Sequence, residues 1–300
     1  VENITADFEI ENMDIDYRTP LSPARHAYGT GRYEGDVLAI TINKAALDDM
    51  NVTHGQVTLN NVSNAAKGTA DIHMEVEGEL PSLFRYIAKE PIGMGEEETG
   101  IDPKTVKGDA DLNVDISFQL LKDLLADQVK VTATGTLSDV TLQKVVRQMD
   151  LTQANLTLAI KDGAITLAGK GKLHDRDIEM SWLQYVSSEG RDFSSKLEAT
   201  LRADRAMRAA FGIDIEDWVE GDLPATVTYT EFGEGRAEAF VKTNIEPAKF
   251  IVSPFGYTKP VGAPGQAKCV IMMQNEAITE IHKLQVKTKF PMQLQYLVEN

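Results

Sequence analysis

The stretch Asp109-Ala110-Asp111-Leu112-Asn113-Val114-Asp115-Ile116-Ser117-Phe118 alternates polar and apolar side chains without exception. Successive side chains of a β-strand point to opposite faces. Ala110, Leu112, Val114, Ile116 and Phe118 therefore share one face, and Asp109, Asp111, Asn113, Asp115 and Ser117 the other. Alternation of this kind specifies a strand with one wet and one sheltered face, as antiparallel sheets have.

The same pattern extends outward in both directions. Thr69 to Glu77 sets Ala70, Ile72, Met74 and Val76 against Asp71, His73, Glu75 and Glu77. Further runs are Val129, Val131 and Ala133; Leu156, Leu158 and Ile160; Ile178, Met180 and Trp182; Leu197, Ala199, Leu201 and Ala203; Ala225, Val227 and Tyr229; and Ala237, Ala239 and Val241. Asp162-Gly163, Glu234-Gly235 and Asn60-Asn61 supply residues that tolerate the positive φ of hairpin turns, so the expected topology is an antiparallel meander. Helical spacing is confined to Ser82–Glu90, Gln119–Ala126 and Asp204–Phe211, each about two turns long, which need a sheet to pack on.

The order strand, short helix, connection, Gly-Asp, strand occurs twice, from Met74 to Phe118 and from Leu197 to Thr230. This suggests two related units, 1–190 and 191–300, with a soft boundary in Ser187-Ser188-Glu189-Gly190 and one continuous sheet through both. Glu90–Lys107 and Ser253–Gly265, rich in Gly or Pro, read as exposed loops.

With 46 acidic against 30 basic residues the net charge is -16, a field that repels phosphate backbones, so nucleic acid is not an expected partner. The same sign disfavours docking on anionic lipid through a basic patch, but not contact with acyl tails in a sheltered groove. Cys269, the one cysteine, excludes an internal disulfide framework and a cysteine-rich zinc site, and its expected place is a strand. The chain starts at Val1 without a basic n-region or a long apolar stretch, and reads as a segment of a longer protein.

Site chemistry is sparse. His26, His54, His73, His174 and His282 lack helical ligand spacing, so no metal is expected; His73 falls on a polar strand face, and His174 and His282 read as turn or edge residues. Asp109, Asp111 and Asp115 invite a calcium reading, but strand neighbours i and i+2 stand about 6.7 Å apart, and a solvated face accounts for them better. Gly29, Gly31 and Gly35 miss the dinucleotide-loop spacing and precede strand-like Val37–Ile42, so they read as a hairpin cluster. No nucleophile elbow is present, and carboxylate pairs cannot be ranked in so acidic a chain. Two aromatic groups, Trp182, Tyr185 and Phe193, and Phe250, Phe255 and Tyr257, fit core packing or a ligand surface.

Four stretches together resemble a family. They are Glu79-Leu80-Pro81-Ser82-Leu83-Phe84-Arg85-Tyr86-Ile87-Ala88-Lys89-Glu90-Pro91-Ile92 followed by Gly100-Ile101-Asp102-Pro103 and Val106–Leu112; Gly29–Val57; Asp162–Trp182 with Gly169-Lys170-Gly171-Lys172-Leu173; and Asn244–Gly265. The pattern is similar to the AsmA-like proteins of the Gram-negative envelope, especially the long YhdP-like members. His174-Asp175-Arg176, Val261 and the tail Met272–Asn300 depart from it.

The resemblance implies a mainly β protein: a long curved antiparallel sheet, or β-groove, with a few short helices. It implies a non-catalytic, cofactor-free periplasmic portion of an inner-membrane-anchored protein, conducting phospholipids between inner and outer membranes. Its expected partners are phospholipid acyl chains, flanking segments of the same polypeptide and envelope proteins. The expected groove lining is Ile72, Met74 and Val76; Leu112, Val114, Ile116 and Phe118; Val129 and Val131; Leu156 and Leu158; Met180 and Trp182; Leu197 and Leu201; and Val227. At about 0.8 kcal/mol per buried CH₂, one tail gains on the order of 10 kcal/mol, and a uniform lining spreads this without a deep trap. The alternatives are a structural or adhesive β-scaffold whose stripes pack on one another, and a hydrolase of envelope polymers with converging carboxylates.

Overall fold

A computed structural model describes residues 4–296, apart from 18–19, 65–66, 91, 100, 123, 126–127, 147–148, 188, 276 and 289–293. Strands dominate. Among the described residues, sixteen strands hydrogen-bond in chain order into an antiparallel sheet that does not close into a barrel, and three short strands form a second sheet. No described helix is long and apolar enough to cross a membrane.

The chain divides into two units, Val1–Leu142 with Gln153–Asp162, and Gln143–Thr152 with Gly163–Asn300. The first holds β1 (Thr5–Ile15), β2 (Ala24–Glu34), β3 (Val37–Leu47), β4 (Met50–Asn60), β5 (Thr69–Glu79) and β6 (Lys107–Gln119), with most of β7 (Lys130–Val146) and β8 (Met149–Lys161). Two helices interrupt the meander between β5 and β6: α1 (Leu80–Ile87) and the single turn α2 (Glu96–Thr99). Pro81 suits the first turn of α1, where its missing N–H costs nothing, so the helix starts earlier than Ser82. Leu83 and Tyr86 of α1 pack against a buried cluster that includes Leu47, Met50, Val52 and Val76.

Bulges shape β1 and β2. The register shifts on either side of Met13 and between Arg25 and Gly29, and Asn12 and His26 take positive φ of 49° and 51°. The His26 Nδ1 and Asn12 Oδ1 atoms lie 2.9 Å apart, tying the two bulges together. Bulges bend a strand and increase its twist.

The second unit holds β9 (Ala164–Leu173), β10 (Arg176–Tyr185), β11 (Ser195–Ala203), α3 (Arg205–Ala210), β12 (Val219–Glu220), β13 (Leu223–Gly233), β14 (Arg236–Asn244), β15 (Lys249–Val252), β16 (Tyr257–Lys259), β17 (Gly265–Gln274), β18 (Ala277–Thr288) and β19 (Leu294–Tyr296). β12, β15 and β16 make the small sheet. Val219, Leu223, Ile245, Ala248 and Val286 form its core, with Ile215 and Phe250 packed alongside.

The repetition expected from sequence has a structural counterpart. β5 and its partner β6 are joined through α1, and β11 and its partner β13 are joined through α3. Gly108 and Gly221 hold positive φ of 121° and 112° at matching places, a conformation L side chains rarely adopt. The turns Asp162-Gly163 and Glu234-Gly235 both have two positive φ residues, as two-residue hairpins require.

Three expectations change. Gln119–Ala126 is not helical: Gln119 ends β6 opposite Thr69, and the Leu120 N–H donates to the Gly68 carbonyl at 2.9 Å, so strand pairing overrides the leucine spacing; Asp123 and Ala126 lie outside the described residues. The glycine cluster does belong to the β2–β3 hairpin, with only Gly35 in its turn and Gly29 and Gly31 inside its first strand. Ser253–Gly265 is not simply exposed, because it contains β16 and Lys259, which is 2% exposed. His282 is not in a turn: it lies inside β18, opposite Val270 of β17, and among the described residues β19 on the other flank pairs with β18 only from Leu284 to Val286. Of the proposed boundary segment, Ser188 lies outside the described residues, and β10 and β11 on either side pair from Ile178 with Leu201 to Gln184 with Ser195.

Candidate functional site

Directly opposed residues of antiparallel neighbours share a face, so the register converts alternation along strands into rows across them. In the first unit one row runs Phe8, Gly31, Ile40, Val57, Ile72, Ile116, Val131. A second runs Ile10, Gly29, Ile42, Gly55, Met74, Val114, Ala133. A third joins Ala45, Val52, Val76, Leu112 and Gly135.

On β5 and β6 burial rises from the half-buried middle of the apolar face toward α1, while Ala70, opposite Phe118 at the far end, is 0% exposed. Leu112 and Val76 are 5% and 7% exposed at the end beside α1, whereas Met74, Ile72, Val114, Ile116 and Phe118 are half-buried and Val131 is 41% exposed. The first unit contains one sheet, and among its described elements α1 is the one that packs on this core. The upper part of the face is therefore apolar and reachable.

The opposite face of the same strands is acidic. Asp71, Glu75, Glu77, Asp109, Asp111 and Asp115 alternate with the apolar rows. His73 Nδ1 lies 2.9 Å from Asp115 Oδ1 across the β5–β6 pair, which fixes its expected place on the polar face. Among the described residues no group of three His, Cys, Asp or Glu side chains could hold a metal ion.

The second unit builds its own rows. Leu167, Trp182, Leu197, Tyr229, Ala239, Ile271 and Ile281 stand in one; Gly169, Met180, Ala199, Val227, Val241 and Cys269 in the next. Trp182, Met180, Leu197 and Val227 are half-buried here. Burial raises the Cys269 thiol pKa, which disfavours the thiolate.

The register thus brings Ile72, Ile116 and Val131 together, pairs Met74 with Val114 and Val76 with Leu112, and in the second unit aligns Met180 with Ala199 and Val227, and Trp182 with Leu197. Leu201 faces Ala225, Leu158 is half-buried on β8, and Val129 lies one residue before β7. Val76, Leu112 and Leu156 are buried and act as packing residues beneath the accessible rows. Sequence reasoning missed Phe8, Ile10, Ile40, Ile42 and Val57. The Leu38, Ile40, Ile42 alternation carried a signal, but Gly29 and Gly31 leave β2 without apolar side chains to complete it.

Polar clasps hold the covered ends. In the first unit the Tyr17 and Tyr86 hydroxyls hydrogen-bond, and Lys89 bridges Asp48 and Ser22. Burial pulls the Asp48 carboxyl upward, but the hydrogen bonds from Lys89 and Ser22 and the charges of Lys89 and Arg85 outweigh it, and the net shift is downward. In the second unit Arg208, 3% exposed, donates to the carbonyls of Ala203 and Gly221 at 3.0 and 2.9 Å and to Glu216 Oε1 at 2.8 Å. Lys259 Nζ donates to the carbonyls of Ala248 and Pro260, each at 2.8 Å. Burial lowers its pKa, against the pull of Glu246.

An open antiparallel sheet interrupted by short helices fits the AsmA-like class of β-groove protein. A family model described as YhdP protein matches residues 2–300, and the chain belongs to the YhdP family, a family of the Gram-negative envelope. No curated protein matches the chain significantly.

Proposed function

We propose that this chain is a non-catalytic lipid-binding module of an envelope-spanning protein, and that its apolar face carries phospholipid acyl chains between the inner and outer membranes. The observation that supports this reading most is the row of half-buried Ile72 and Ile116 and exposed Val131, with Met74 and Val114 beside it, which among the described residues no second sheet covers within its unit. Leaving such a row in water forgoes about 25 cal/mol per Å² of apolar surface, a loss that an acyl chain offsets. Family membership supports the envelope setting. Because the row repeats similar aliphatic side chains from strand to strand, a bound tail meets comparable surroundings at successive positions and can slide.

Native mass spectrometry of the chain purified from a Gram-negative host tests this. Retained phospholipid is the expected result. A lipid-free chain that also takes up none from added vesicles contradicts the reading and favours a scaffold.

A further inference from the structure

The rise in burial toward α1 gives the apolar face of β5 and β6 a floor. Phe118, Ile116 and Val114 are half-buried, Leu112 is 5% exposed, and beyond it Leu80, 2% exposed, begins α1, whose Leu83 and Tyr86 press on the cluster around Val76. From Phe118 to Val114, the last accessible residue before buried Leu112, is four residues, about 14 Å at the rise of an antiparallel strand. One acyl tail occupies half of the roughly 30 Å hydrocarbon core of a bilayer, about 15 Å. A tail laid along β5 and β6, with its methyl end toward α1, thus fills the accessible depth of this face and stops at the helix.

We propose that α1 is a chain-length stop: Leu83 and Tyr86, standing on the cluster that includes Met50, Val52 and Val76, set the longest acyl tail that the first unit accommodates. This rests on the lipid-binding reading above and adds substrate selectivity to it. Tails shorter than the accessible depth leave apolar surface wet, and longer ones are turned back or forced out at the Phe118 end. The stop is firmly seated. Its own Ser82 is buried, Arg85 reaches Asp49 at 3.1 Å, and Tyr86 bonds Tyr17.

The test is competition. The whole 300-residue chain, stripped of lipid, is offered an equimolar mixture of saturated phosphatidylcholines that differ only in tail length, and the bound fraction is read by native mass spectrometry. The wild type is expected to prefer an intermediate length. Leu83→Ala, which lowers the floor, is expected to shift the preference to longer tails, and Met74→Trp, which raises it, to shorter ones. The opposite directions separate a ruler from general damage to the fold. Identical length profiles for wild type and both variants, with lipid still bound, overturn the stop and leave the lipid-binding reading intact. Absence of lipid from all three overturns both.

Discussion

Phe8 lays its ring over Gly31 so closely that a Cβ there would come within 2.0 Å of the ring's Cζ atom. The aromatic ring covers the apolar row where β2 itself offers no side chain. Gly29, two residues away, is crowded differently: its Cβ would meet the main-chain oxygen of Thr41 at 2.0 Å. A ring can rotate aside, but a carbonyl in a ladder cannot. Gly31→Ala is therefore expected to cost about 1–2 kcal/mol and Gly29→Ala about 3 kcal/mol or more. Urea denaturation of the single and double variants checks this. Phe8→Ala should relieve Gly31→Ala, a coupling between contacting residues, and leave the Gly29→Ala cost unchanged.

The accessible and the buried parts of the same strand should respond differently to charge. Ile116 is half-buried while Leu112 is 5% exposed. Ile116→Asp is expected to change stability by about 1 kcal/mol or less. Leu112→Asp buries a carboxylate without a partner and is expected to cost several kcal/mol. Lipid retention should fall in Ile116→Asp although the fold persists. If Ile116→Asp unfolds the chain as Leu112→Asp does, a packed layer covers the face and the groove reading is wrong.

Acid should loosen the end of the second unit. Asp204 caps α3 by accepting from the Met207 N–H at 2.8 Å and pairs with Arg176, and that backbone bond, ahead of the Arg176 interaction, holds its pKa below the ordinary value in spite of partial burial. Because folding lowers this pKa, the unfolded chain takes up the proton first. The contribution is complete above the unfolded carboxylate value of about 3.9 and is lost as pH falls through the lower folded value. Asp204→Ala is expected to cost about 1 kcal/mol at pH 7. The stability difference between wild type and variant should shrink as pH falls below the unfolded carboxylate value and through the lower folded value of Asp204.

The parts of the fold that were legible in sequence are those where local pattern and tertiary pairing agree. β5 and β6 each carry one polar and one apolar face, so their alternation survives intact, and the register then aligns Ile72 with Ile116. Asp162-Gly163 and Glu234-Gly235 signalled hairpins because the backbone there needs positive φ. Pattern failed where a neighbour supplied what the strand lacked, as Phe8 does for Gly31. It failed at the bulges of β1 and β2, which break the period of two. Leu120, Leu121, Leu124 and Leu125 mimic a helix, yet Leu121 and Leu125 are 38% and 61% exposed because the pairing of β6 with β5 runs up to Gln119 and ties Leu120 back to Gly68. Buried Lys259 has no periodic signature at all, since the carbonyls of Ala248 and of the adjacent Pro260 receive its ammonium.

The central claim is that the face bearing Val114 and Ile116 holds acyl chains and the face bearing Asn113 and Asp115 does not. A photoreactive benzophenone amino acid placed singly at these four positions, irradiated in cells and analysed by mass spectrometry, tests it directly. Lipid-mass adducts at Val114 and Ile116, and none at Asn113 and Asp115, are the predicted result. Equal labelling of both faces, or no lipid adduct at Val114 and Ile116, would contradict the account.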